Sequence, residues 1–120
     1  MYLTDITDKS KMCTTKSGNK IHWLLTTEIG APSYELRYIE IPAGGHTSHG
    51  HHPHEHEVFI VKGKGQVLGG DTKSNLYPGV AVFIPGNEVH QFFNGSETEP
   101  LGIICVVPKG AEAESKPPCK

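Results

Sequence analysis

The chain has 120 residues, of which 36% are hydrophobic and 20% charged, a size that suits one domain (1–120) with a single modest core. Its formal net charge of −2, without any basic stripe, argues against a phosphate-backbone binder, so no nucleic-acid partner is expected. No apolar run approaches the roughly 18 residues of a membrane span, and Met1 to Ser10 carries no signal-peptide core, so no membrane partner is expected and the protein reads as cytoplasmic.

Cys13, Cys105 and Cys119 are odd in number and widely separated, which indicates neither a zinc knuckle nor a disulfide-stapled scaffold. Fourteen glycines and nine prolines break the chain too often for long helices, so the expected class is all-β with few or no helices. In chain order, residues 1–18 are expected as an N-terminal strand or arm. Ile21 to Thr27 is rich in strand formers, and Ser33 to Ile41 alternates like a half-buried strand. Pro42 to Gly45 turns the chain into a histidine-rich segment that leads to Val58–Val61, closed by Lys62-Gly-Lys-Gly65. Gln66 to Leu68 starts a return strand, and Gly69 to Asp71 turns it. Gly79 to Ile84 is stopped at Pro85-Gly-Asn87, and Val89 to Phe93 and Leu101 to Val107 complete the series. Residues 109–120 read as a flexible tail. Short strands at this spacing predict a sandwich or barrel. Trp23, Tyr34, Tyr38, Phe59, Phe83, Phe92 and Phe93 are spread over several strands and are expected mostly to fill it.

Eight histidines are present, and His46, His49, His51, His52, His54 and His56 crowd one short segment. Neutral imidazole suits zinc, copper, iron and nickel, so several converging from one strand, with His90 from a neighbour, would chelate a metal inside a barrel. Strand parity groups His46, His52, His54 and His56 on one face and His49 and His51 on the other, although Pro53 interrupts the ladder between them.

The segment Gly44 to Gly63 resembles the first cupin motif, G-x5-H-x-H-x3-4-E-x6-G, and Gly79 to Asn94 resembles the second, G-x5-P-x-G-x2-H-x3-N. In the second, Gly79, Pro85, His90 and Asn94 fall at family spacing, with Asn87 where glycine is usual. Asparagine tolerates left-handed backbone, so that departure is mild. In the first, Gly63 puts His56 in the slot usually held by glutamate, as in small cupins with a run like His52-Pro-His-Glu-His-Glu-Val-Phe59. A three-residue spacer places the H-x-H pair at Gly50 and His52, whereas a four-residue spacer places it at His49 and His51 but sets Ala43 in the glycine slot. Gly44 and Pro53 favour the first register.

The resemblance implies a cupin-type double-stranded β-helix, a jelly-roll barrel. It also implies one divalent transition metal per chain (Fe, Mn, Ni, Cu or Zn) held by His52, His56 and His90, with His49 or His51 as a weaker fourth candidate. His54, Phe92 and Cys105 are expected to line the pocket, and His22 to pack on a strand. Glu57 has the opposite parity to His56 and points away, which leaves no evident general base. Arg37 is expected to pair at the surface, with entry into the pocket as an anion anchor the alternative. An all-imidazole metal with vacant positions favours a metal-dependent oxygenase of the dioxygenase type acting on a small organic molecule. The alternatives are a metal-dependent isomerase or lyase of a sugar-like or small acidic compound and a non-catalytic module that binds metal or a small ligand. By analogy with single-domain cupins, a homodimer is expected.

Overall fold

Alternation at β4 shows how the barrel is built. From His56 to Lys62 the side chains of His56, Val58 and Ile60 are buried while Glu57, Phe59 and Val61 face out, the period-2 pattern of a strand with one face on a core. The computed structural model describes residues 1–119, and within them the strands are β1 (Met12–Thr14), β2 (Lys20–Leu25), β3 (Tyr34–Ile41), β4 (His56–Lys62), β5 (Gly65–Gly69), β6 (Thr72–Leu76), β7 (Ala81–Ile84), β8 (His90–Asn94) and β9 (Leu101–Pro108). Helical structure is confined, among the described residues, to three-residue 3-10 turns, and no helix is long and apolar enough to cross a membrane.

One sheet runs β1-β2-β3-β9-β4-β7 and the other β6-β5-β8, with antiparallel pairing throughout. The architecture is the all-β barrel that the strand spacing and the motifs predict. β9 lies between β3 and β4, which aligns Arg37, Cys105 and Val58 across one inward row. The small sheet is prolonged by isolated pairings of His46 with Phe93 and of Gly50 with His90, so the histidine-rich segment runs beside β8. Ile41, Ile60 and Leu101 are fully buried at the centre of the core.

The turn chemistry of the second motif is realised. Asn87 adopts a left-handed φ of 68°, the geometry that glycine usually supplies in its slot. The last residue of the motif, Asn94, is buried and acts as a clamp. Its side-chain amide donates to the carbonyl oxygens of Ile41 (3.0 Å), Pro42 (3.1 Å) and Glu99 (2.8 Å), while its Oδ1 accepts from the Ser96 N–H (2.8 Å).

The structure departs from the sequence reading in four places. β6 pairs fully with β5 although four of its five residues are exposed and polar; without a buried face it has no alternation to detect. Phe59 (49%), Phe83 (61%) and Tyr34 (69%) are exposed rather than barrel-filling, because they take the outward parity of their strands. Cys13 and Cys119 are joined as a disulfide, a pairing between chain ends that no sequence spacing announces. The segment expected as a flexible tail instead packs back on the barrel: Ser115 accepts a hydrogen bond from Trp23 Nε1 (2.9 Å), and Lys116 pairs with Glu35 (2.6 Å). Gly110 N–H also donates to Glu35 (3.1 Å). Buried carboxylate and indole groups on β2 and β3 need partners, and this segment supplies them.

Candidate metal centre

Three imidazoles meet at one end of the barrel. His56 heads β4, His90 heads β8, and His52 sits in the segment that precedes β4. Ring centroids are 4.6 Å apart for His52 and His56, 4.9 Å for His52 and His90, and 5.1 Å for His56 and His90, each pair nearly perpendicular. The Nε2 atoms of His52 and His56 lie 3.0 Å apart, roughly the spacing of two nitrogens that each ligate one ion at about 2.0–2.1 Å.

The opposite ring nitrogens are all engaged. His52 Nδ1–H donates to the His54 carbonyl oxygen (3.2 Å) and His90 Nδ1–H to that of Glu88 (2.9 Å). His56 Nδ1 lies 3.3 Å from Cys105 Sγ. Bonds of this kind fix the ring orientation and leave the Nε2 lone pair for a metal. Burial, with the positive charge of Arg37 and the neighbouring imidazoles, pushes the His56 pKa down to about 3, so this ring stays neutral at any ordinary working pH and is free to ligate.

A second grouping overlaps the first. His54 stacks on His52 with centroids 3.8 Å apart and planes 3° from parallel, and its Nε2 lies 3.4 Å from Glu112 Oε2. One ligand atom from each of His52, His54, His56 and Glu112 lies within 4.8 Å of the others, so this His/Glu group could hold a metal ion. His54 also stands nearly perpendicular to His56, with centroids 5.1 Å apart, so it bridges the imidazole cluster and Glu112.

The trio opens on a cavity of about 390 Å³ whose apolar wall includes Ile21, Ile39, Phe92 and Ile103. Phe92 and Cys105 line it as expected, and His54 does not. His51 reaches its rim while exposed, and His49 is exposed. His46 is held outside by contacts with the Thr47 carbonyl and Gln91, and His22 packs on Tyr38 at 5.8 Å.

Arg37 corrects the sequence reading. It is only 2% exposed and lines the cavity, with Nη2 donating to Cys105 Sγ (3.0 Å) and standing 3.0 Å from Glu112 Oε2. Its parity with Ile39 and Ile41 already carried that signal, and a charged side chain outweighed it. Glu112 carries no sequence signal, since it comes from the C-terminal segment with no motif around it. Burial raises the Cys105 pKa against the opposing pull of Arg37, so the sulfur is a neutral thiol beside His56.

Comparison with known proteins places this geometry. The family model described as "Cupin domain" matches residues 37–107. A curated relative, 1-methylthio-D-xylulose 5-phosphate methylsulfurylase of Rhodospirillum rubrum, is 42% identical over 73 residues, covering 61% of this chain and 46% of its own length; the chain thus spans about half of that relative. Among solved structures, the polyketide cyclase RemF from Streptomyces resistomycificus superposes with a TM-score of 0.80 at 26% identity, over 98% of this chain and 82% of that one. A cupin 2 domain-containing protein from Halorhodospira halophila gives a TM-score of 0.72 at 32% identity, over 86% and 77%. With more than half of its length matched and both motifs folded around one histidine cluster, the chain belongs to the cupin domain family.

Proposed function

We propose that this cupin is a metal-dependent oxygenase that acts on a small organic molecule in its cavity, with His52, His56 and His90 as the ligands of one divalent transition metal. The observation that carries the reading is the convergence of three imidazoles, each with Nδ1 engaged and with the Nε2 atoms of His52 and His56 3.0 Å apart, on a cavity with an apolar wall. Such a ligand set contributes no negative charge. A bound redox-capable ion would supply open positions for dioxygen and a chelating substrate. The chain itself would fix the imidazole tautomers, shield the substrate from water with Ile21, Ile39, Phe92 and Ile103, and orient it.

A second reading uses the ion only as a Lewis acid in an isomerase- or lyase-type reaction. It gains from Glu112, a carboxylate beside the cluster that parity at Glu57 did not offer, and from the names of the cyclase and methylsulfurylase relatives, neither of which is an oxygenase name. Elemental mass spectrometry of untagged protein should find about one metal per chain, lost in each of His52→Ala, His56→Ala and His90→Ala. Oxygen-uptake screening of the loaded protein then separates the readings, since turnover of a substrate without oxygen consumption would reject the oxygenase. Full metal retention in His90→Ala would reject the ligand set.

A further inference from the structure

Arg37 is the one cavity feature that neither the metal nor the packing explains. A guanidinium at 2% exposure is held where five donors need partners, yet its Nε has none among the described residues. Its Nη2 is 3.0 Å from Glu112 Oε2, but that oxygen lies off hydrogen-bonding geometry and has no hydrogen-bond partner of its own. Carboxylates that belong with an arginine normally dock on its fork in two parallel bonds. Glu112 instead reaches in from a backbone in the left-handed region (φ 54°), where a non-glycine residue is strained. This is a fork with a poor occupant. The segment that brings the occupant is held close by, with Ser115 bonded to Trp23 Nε1, and the Arg37 guanidinium itself sits 5.1 Å over the Trp23 ring.

We propose that Arg37 anchors an anionic group, a carboxylate or a phosphate, of the molecule that enters the cavity, and that the Glu112 side chain holds this place until the ligand displaces it. The anion would take the two-bond fork that Glu112 leaves half used, with the rest of the ligand directed along the chamber toward His52, His56 and His90. This deepens the substrate reading above and rests on the cavity being the substrate chamber, but the anion contact itself needs no metal.

Trp23 is the sole tryptophan and touches both the anchor and the segment, so its fluorescence reports the exchange. The full-length chain, with metal removed by a chelator, is titrated with succinate and separately with inorganic phosphate at constant ionic strength. A saturable change with at least one probe, in the wild type or in Glu112→Gln, is expected, and the probe that saturates identifies which anion the fork prefers. Because Glu112 competes as a tethered carboxylate of high effective concentration, Glu112→Gln should lower the apparent Kd about tenfold. Glu114→Gln, which removes equal charge from the same cavity lining, should move it less than about twofold. Arg37→Met should abolish saturation. Equal shifts in the two glutamate variants, binding that survives Arg37→Met, or no saturable change in Glu112→Gln would each overturn the proposal, and the glutamate comparison stands even if Arg37→Met does not fold. A response seen only with metal restored would place the anion on the metal and also overturn it. A chain that binds no metal but gives the predicted titration would sink the oxygenase reading alone.

Discussion

An imidazole serves a metal through an unprotonated nitrogen aimed at a shared point, and this separates the eight histidines more sharply than their spacing does. His52, His56 and His90 each have Nδ1 engaged, whereas His54, parallel to His52, has its Nε2 3.4 Å from Glu112 Oε2. His54→Ala is therefore expected to keep about one metal per chain with affinity lowered by no more than the roughly 10–100-fold typical of a supporting residue, while His90→Ala loses it; a competition titration with a chromophoric chelator measures both. In space, Gly50 pairs with His90, His52 and His51 both line the cavity, and His49 is exposed. Spacing could not resolve the two registers weighed at the first motif, since Pro53 cancels the parity rule across the segment. Glu112 was illegible for a different reason: a carboxylate becomes part of a site only when chain folding brings it 3.4 Å from His54.

At the scale of elements, the strands with one buried face were readable and the element without one was not. β3, β4, β8 and β9 carry alternation and β6 does not. The charges of the C-terminal segment read as solvating, yet one of them answers the fully buried Glu35 on β3. Burial opposes ionisation of Glu35, but the hydrogen bond and charge of Lys116 and the amides of Thr27 and Gly110 outweigh it and hold its pKa below the ordinary carboxylate value. A carboxyl with a lowered folded-state pKa stabilises the fold above its unfolded-state pKa, and that contribution is lost as pH falls through the lowered value. Urea unfolding should accordingly show stability declining on acidification below about pH 4. Glu35→Gln should be less stable at neutral pH by about 1–3 kcal/mol and should lose less on acidification; an acid slope unchanged in the variant would contradict the assignment.

For the whole molecule, the sheet registers bring the exposed Phe59 and Phe83 and the half-buried Ile104 and Val106 together around Glu57 on the outer face of β4, β7 and β9. An exposed apolar patch on a barrel surface is one kind of face that a protein partner covers, and homo-oligomers pair such faces about a two-fold axis. We propose that the expected homodimer forms there, and Phe83→Lys should shift the species seen by light scattering after gel filtration from dimer to monomer while leaving the metal content intact. A dimer that persists unchanged would exclude this face. The barrel class was legible because turns and alternation are local, whereas the outward parity of Phe59 and Phe83 was overridden by the assumption that aromatic residues go inside.

The Asn94 clamp has a chemical consequence of its own. Asn94 is followed by Gly95, and an asparagine ages when the next backbone nitrogen attacks its side-chain carbonyl and expels ammonia, closing a succinimide that water then opens to aspartate or isoaspartate, so that a carboxylate replaces the amide. In the folded barrel the attacking nitrogen is occupied, since Gly95 N–H donates to the Lys64 carbonyl (3.0 Å), and the amide is pinned by three acceptors. Unfolding removes both protections at once. A chain that deamidates while unfolded returns with an anion facing three carbonyl oxygens it can no longer serve as donor. Each heating cycle thus withdraws molecules from the refoldable pool, and the native fold acts as the preservative of its own sequence.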